Sequence, residues 1–294
     1  MIKPPEMHKN SMIGIVAPSS PFDDKDFSRG LTVLEEMGFR TIFGPNLRNR
    51  CGHLAGTDQE RVKDLEEMFL RSDVSAVTVA RGGFGALRLL SNMDFSVFEK
   101  NPKPFVGFSD LTVLLNVISQ RCSLITFHGP VVTSLANISD HSRDSFFQTL
   151  ISPEFPPLIW EEASIVRPGY AEGRLAGGNL TTLCHLLGTP YESNFDAAIV
   201  ILEDVNEPLY RIDRMLTHLK LAGKLERIRA VLLGSFGGCE SVEAVWERVC
   251  YLIPNRSIPI WGNMPLGHGE DNYTWPIGAN AQLVNDGEIR FSHG

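Results

Sequence analysis

The sequence predicts an α/β protein built around a parallel sheet, followed by a second unit with its own set of elements. Two observations carry this expectation. In the first half, short apolar runs rich in β-branched residues alternate with stretches of helical period, the pattern left by successive strand–helix units. That alternation then gives way to a proline-bearing stretch with no clear period, containing Pro153, Pro156, Pro157 and Pro168, after which new strands and helices begin. The chain accordingly divides into 1–150, a linker over 151–168, and 169–294.

Taken in order, residues 13–17 read as the first strand and 27–37 as an amphipathic helix closed by Gly38. A short strand is expected over 41–43. Over 59–72, Val62, Leu65, Met68 and Phe69 recur at helical spacing. Residues 76–80 form a buried strand that runs into Arg81-Gly82-Gly83-Phe84-Gly85 and then a helix through Leu90. A strand over 105–108 ends at Ser109, and Leu111, Leu114, Leu115 and Ile118 mark the helix that follows. In the second half, helices are expected over 179–187, 210–222 and 242–252, the second of them stopped by Gly223. Strands are expected over 198–202 and 230–234, and a β-like segment near 281–291 closes the chain. No internal repeat or low-complexity tract interrupts this order.

The composition excludes several classes of function. A formal charge of -8, with the 27 Lys and Arg scattered among 35 Asp and Glu, provides no field for nucleic acid, so an anionic ligand must meet a local cationic group. The five cysteines show no CxxC or other metal-ligand spacing, and several sit in apolar runs, which reads as reduced, buried thiols. Residues 1–11 are polar and carry Pro4 and Pro5, unlike the apolar core of a signal peptide. No stretch approaches the roughly 20 apolar residues of a membrane span. These features together predict a cytoplasmic protein.

Four places can carry chemistry. Ser109 stands where an apolar strand turns into a helix, so backbone N–H groups and the positive helix end lie beside it, a setting suited to a nucleophile and its oxyanion. The same position suits an ordinary N-cap. The G-x-S-x-G elbow is not met, because Leu111 stands at the second glycine position. The turn from Arg81 to Gly85 brings backbone N–H groups to a strand end, where they serve either a ligand or a plain tight turn; as a dinucleotide fingerprint it fails at Arg88. Glu203 and Asp204 end an apolar strand, placed to orient an imidazole or to cap the next loop. His268 is flanked by Gly267 and Gly269, which fits a base that reaches a serine on another segment and equally an exposed turn. His128, in Phe127-His128-Gly129-Pro130, is the rival base, whereas His185 and His218 read as helix residues. No zincin spacing or carboxylate cage is present, so neither metal nor cofactor is expected.

In combination these segments resemble the LD-carboxypeptidase family, which includes the murein tetrapeptide carboxypeptidases and the microcin C immunity peptidases. The resemblance rests on Gly14-Ile15-Val16-Ala17-Pro18-Ser19-Ser20, Arg81 to Gly85, Gly107-Phe108-Ser109-Asp110-Leu111-Thr112, His128-Gly129-Pro130 and Gly177-Gly178-Asn179-Leu180. It continues through Leu202-Glu203-Asp204, Tyr210-Arg211-Ile212-Asp213-Arg214 and Gly267-His268-Gly269, in the family's order across nearly the whole chain. What it implies is a flavodoxin-like, or class I amidotransferase-like, first domain and a β-rich second domain. It further implies a triad of Ser109 as nucleophile, His268 as general base and acid, and Glu203 as the orienting carboxylate. The backbone N–H groups of Gly83 and Asp110 are then the expected oxyanion hole; the glycine turn at Gly82 is expected to meet a substrate carboxylate, with Arg81, in an acidic chain, either its cationic partner or, more simply, a member of a surface or interdomain salt bridge. The implied substrate is a small murein peptide and the implied assembly a homodimer. Phe84 and Phe108 depart mildly from the tyrosines of many relatives.

Three other functions compete with murein recycling: a microcin-type immunity peptidase of the same family, an α/β-hydrolase esterase, and a non-enzymatic two-lobed binding protein. The esterase shares the order Ser, acid, His but needs an elbow and an HGGG-type loop that this chain lacks.

Overall fold

The computed structural model describes residues 1–285 and 287–293; Asp286, within the expected closing β segment, and Gly294, the end of the expected second unit, lie outside them. The first half alternates strand and helix as its periodicity predicts: β1 (Met12–Val16), α1 (Asp24–Glu36), β2 (Arg40–Phe43), α2 (Asp58–Leu70), β3 (Ala76–Val79), α3 (Phe95–Lys100), β4 (Phe105–Gly107), α4 (Thr112–Cys122) and β5 (Thr126–His128). Short α5 (Val132–Leu135) and α6 (Asp140–Ile151) follow. A 3₁₀ turn over Ala86–Leu89 stands where a regular helix through Leu90 was expected, after the backbone passes through Gly83 and Gly85 at positive φ.

The second half contains β6 (Leu158–Ile159), β7 (Ser164–Arg167), β8 (Ala171–Asn179), α7 (Leu180–Leu186), β9 (Ala198–Val205), α8 (Leu209–Leu221), β10 (Ala230–Gly237), α9 (Val242–Leu252) and β11 (Ile260–Gly262). It closes with β12 (Trp275–Ile277), β13 (Asn280–Asn285) and β14 (Glu288–Ser292). The proline-bearing stretch over 151–168 therefore carries two strands, β6 and β7, both of which join the second sheet.

The strands form two sheets. In the six-stranded sheet the order β2-β1-β3-β4-β5 is all parallel and flavodoxin-like, with β12 added antiparallel beyond β5. β12 comes from late in the chain, so the last segments cross back and complete the first sheet. The eight-stranded sheet runs β6-β14-β13-β8-β9-β10-β11-β7. Its centre, β8 to β11, is parallel and linked by α7, α8 and α9, and antiparallel strands flank it on both sides. The second unit is β-rich, as expected, but at its heart it too is a strand–helix alternation.

The strands that carry the site are buried on both faces. Val77 and Val79 on β3 and Phe105 on β4 are wholly inaccessible, as are Ile199 to Ile201 on β9, which is why these stretches read as continuous apolar runs. Burying one such side chain stabilises the fold by roughly 1.5–3 kcal/mol. Helix starts are capped from the sequence: Thr57 and Glu60 form a reciprocal capping box on α2, and Asp23 caps α1. Gly38 and Gly223 end α1 and α8 at positive φ. Among the described residues no helix is long and apolar enough to cross a membrane. The cysteines are unpaired; Cys122 and Cys184 are buried, with burial raising their thiol pKa to about 11 and about 12, but Cys51 is exposed, contrary to its expected burial.

Candidate active site

In a flavodoxin-like sheet, ligands sit beyond the carboxyl ends of the strands near the point where strand order reverses, here between β1 and β3. The chain after β1 (Pro18 to Ser20), the glycine turn after β3 and the turn after β4 all meet at that rim. β4 enters its turn through Gly107, where a Cβ would lie 3.0 Å from two side-chain atoms of Leu111. Phe108 is extended, and Ser109 follows at φ 63°, a left-handed conformation that costs a non-glycine residue about 1 kcal/mol or more. Ser109 opens a 3₁₀ turn through Leu111 that leads into α4, and no side chain caps either start. The N-cap alternative therefore fails: the Ser109 hydroxyl instead lies 3.0 Å from His268 Nε2.

The glycine turn packs directly on this serine. A Cβ on Gly82 would sit 3.1 Å from Ser109 Cβ, and one on Gly83, at φ 107°, only 2.6 Å from Ser20 Oγ. The turn is tied down at several points. Ser20 Oγ accepts the Phe84 N–H, and the carboxylate of buried Asp110 accepts both the Ser19 hydroxyl at 2.6 Å and the Ala86 N–H at 2.8 Å. Burial raises the Asp110 pKa, and these two hydrogen bonds oppose the shift. Buried Arg61 donates to the carbonyls of Gly85 and Pro18 and is paired with Asp58. Among the described residues, neither the Gly83 N–H nor the Asp110 N–H has a protein acceptor.

Glu203 lies near the end of β9, wholly buried, where the run from Ile199 to Leu202 delivers it to the rim. Its Oε2 is 2.7 Å from His268 Nδ1, and its Oε1 has no partner among the described residues. His268 comes from the loop between β11 and β12. The loop approaches the carboxylate so closely that a Cβ on Gly267, at φ 103°, would fall 2.4 Å from Glu203 Oε2. Asn272 Oδ1 accepts the Gly267 N–H, and Phe108 packs its ring 4.8 Å from the imidazole. With Nδ1–H donating to Glu203, Nε2 is free to accept the Ser109 hydroxyl. Burial pulls the His268 pKa down, but the hydrogen bond and charge of Glu203 outweigh it, leaving the pKa above the ordinary histidine value.

The remaining sequence candidates fall as follows. His128, on β5, is wholly inaccessible, neither ring nitrogen has a partner among the described residues, and its pKa is pushed down to about 3 by burial and by neighbouring His268. Arg81 lies on the cavity wall, with Nη1 donating to the Pro21 carbonyl at 3.1 Å. Asp204 points away from the imidazole and accepts from Asn179, from Thr181 N–H and hydroxyl, and from Val205 N–H, which fixes the start of α7. Of the two readings the sequence offers for Asp204, the structure gives it hydrogen bonds to the backbone and to α7 and, among the described residues, none to an imidazole; Asn272 carries no sequence signal beyond its place four residues after His268. Ser109, His268, Gly82, Gly83 and Arg81 open onto one cavity of about 950 Å³, also lined by Val131, Thr133 and Asn206. Among the described residues there is no group of three or more His, Cys, Asp or Glu placed to hold a metal ion.

A serine, a histidine and a carboxylate in one chain of hydrogen bonds at a sheet rim form the arrangement that serine-type hydrolysis requires. Residues 13–129 match the LD-carboxypeptidase N-terminal domain, and residues 172–283 match the LD-carboxypeptidase C-terminal domain. The probable murein peptide carboxypeptidase of Bacillus subtilis (strain 168) is 39% identical over 295 residues, covering 96% of this chain and 91% of that protein. The murein tetrapeptide carboxypeptidase of Pseudomonas aeruginosa is 32% identical, covering 92% of each chain. The crystal structure of an MccF-like protein from Bacillus anthracis str. Ames superposes with a TM-score of 0.93 at 25% identity, over 100% of both chains. The chain belongs to the LD-carboxypeptidase family, and it is a serine carboxypeptidase.

Proposed function

We propose that this enzyme removes the terminal D-alanine from murein tetrapeptides by hydrolysing the L,D-peptide bond, in cytoplasmic recycling of peptidoglycan. The observation that carries the proposal is the continuous Ser109–His268–Glu203 chain, at 3.0 and 2.7 Å, opening onto a cavity of about 950 Å³. Ser109 Oγ attacks the carbonyl that precedes D-alanine while His268 Nε2 takes its proton. The same nitrogen then returns that proton to the departing amine of D-alanine, and water attacks the acyl-enzyme by the same route. Glu203 holds the imidazole in the required tautomer and stabilises its charged form. Gly83 N–H and Asp110 N–H are free to bind the oxyanion, each donor contributing roughly 3 kcal/mol. Arg81 and Gly82 hold the terminal carboxylate, because an acidic protein needs a local cation there.

A microcin-type immunity peptidase would use the same chemistry. The close superposition on the MccF-like structure favours it, but the 39% and 32% identities to murein carboxypeptidases favour the murein substrate more. The test is a fluorophosphonate probe: it should modify Ser109, abolish release of D-alanine from a tetrapeptide, and act equally well after dialysis against EDTA. Activity lost on EDTA dialysis and restored by zinc would sink the serine mechanism.

The pH dependence follows from the raised His268 pKa. The base works only when neutral, so kcat/KM should rise through an acid limb centred above the ordinary histidine pKa of about 6.5. In Glu203→Gln the carboxylate's raising influence disappears and burial remains, so the limb should move to lower pH while the plateau drops. A limb that stays in place in this variant would separate Glu203 from the base.

A further inference from the structure

Helix α4, which begins one turn after Ser109, is buried almost all round, yet it carries a polar stripe at positions i, i+4 and i+7: Thr112, Asn116 and Ser119. Each of the three reaches across to the other unit or to the strand that returns from it. Thr112 Oγ1 accepts the Asn179 N–H at 3.0 Å, and Ser119 Oγ donates to the Ile277 carbonyl at 3.3 Å. Between them, Asn116 makes a two-way pair with one residue of β8: its Nδ2 donates to the Gly177 carbonyl at 2.8 Å and its Oδ1 accepts the Gly177 N–H at 3.0 Å. The amide also donates to the Thr112 carbonyl at 2.8 Å, which fixes its rotamer.

β8 is shaped to receive this contact. Gly177 and Gly178 have φ of 120° and 133°, and a Cβ on Gly178 would lie 2.7 Å from Thr112 Oγ1. Only glycines let the strand turn its backbone groups towards the helix at that distance. In the sheet register Gly177, Gly178 and Asn179 lie opposite Ile201, Leu202 and Glu203. The residues that grip α4 are therefore the lateral neighbours of the strand end that carries Glu203. The carboxamide suits this contact because its N–H donor and carbonyl acceptor sit side by side, and Gly177 engages both.

We propose that Asn116 is a positioning residue: its paired hydrogen bonds with Gly177 set the distance between Ser109, held by the first sheet, and the His268–Glu203 pair, held by the second. The proposal rests on Ser109 and His268 acting together. Displacing reacting groups by about 1 Å is enough to lose roughly 10²-fold in rate. Asn116→Leu, similar in size and without either bond, should therefore lower both kcat for D-alanine release and the rate of fluorophosphonate labelling of Ser109 by roughly 10²-fold. KM should stay near the parent value. The acid limb of the pH profile should stay where it is, because His268 and Glu203 keep each other. Asn116→Asp preserves the shape and the acceptor half of the pair, and should show the same two losses; it carries the test if the leucine variant does not fold. Val117→Ala, a core truncation on the same helix, controls for general destabilisation and should be labelled at nearly the parent rate. Labelling of foldable Asn116 variants at the parent rate, or an equal loss in Val117→Ala, would overturn the proposal. Full turnover by Ser109→Ala would instead remove the mechanism on which it rests.

Discussion

Ser109→Ala is expected to lower kcat/KM for the tetrapeptide by roughly 10⁴- to 10⁶-fold, because the variant loses the covalent route and keeps only binding and oxyanion stabilisation. His268→Ala should fall in the same range, since it removes Nε2, the nitrogen 3.0 Å from the serine hydroxyl that takes its proton. Glu203→Ala should cost somewhat less, roughly 10⁴-fold, as the imidazole remains but loses its tautomer and its counter-charge. The Ser109, His268 double variant should be little worse than either single one, because a nucleophile without its base and a base without its nucleophile are equally idle. Steady-state kinetics on the purified variants measure all four. His128→Ala gives the contrast: among the described residues neither ring nitrogen has a hydrogen-bond partner, and its pKa is pushed down to about 3, so it has neither the contact nor the basicity for the role. A dead His128→Ala beside a fully active His268→Ala would reverse the assignment of the base.

The first sheet was legible because its inner strands β1, β3, β4 and β5 are buried on both faces. Residues such as Val77, Val79, Phe105 and Val106 make unbroken apolar runs, and α1 and α2 keep one polar face. Short strands at the margins were not legible. β12 has three residues, and its pairing with β5 spans half the chain, so no local pattern marks Trp275–Ile277. β6 and β7 lie among prolines and are only partly buried, which hides the alternation that would reveal them. The parallel centre of the second sheet was visible piecewise, as strands over 198–202 and 230–234, but not as a sheet.

At the site, the residue types were legible and their conformations were not. Ser109 at φ 63° breaks the ordinary preference of a non-glycine residue, so local sequence taken alone leaned to the ordinary cap over the nucleophile. Gly267 gave a clearer signal, for a histidine between two glycines is explained once the loop must pass within contact of Glu203. Thr112, Asn116 and Ser119 interrupt an otherwise apolar helix at helical spacing; that stripe was present in the sequence, but its partners, Gly177, Asn179 and Ile277, are far away along the chain.

The second large effect concerns which peptide is cut. The triad is indifferent to the configuration of the leaving amino acid, so any preference for a terminal D-residue must come from how the cavity holds its carboxylate and its side chain in the transition state. A terminal amide removes the charge that Arg81 and the Gly82 backbone are proposed to meet. An L-alanine epimer exchanges the methyl group and the hydrogen, so that with the carboxylate and the amide held, the methyl group is directed into the wall. A site built around a polar group discriminates by roughly 10⁴-fold against a ligand that lacks it. The most direct measurement is therefore the release of the C-terminal residue, followed by mass spectrometry, from three murein tetrapeptides alike except at that end: free D-alanine, D-alanine amide and L-alanine. The proposed function predicts rapid release of D-alanine from the first and little from the other two; equal rates on all three would contradict it.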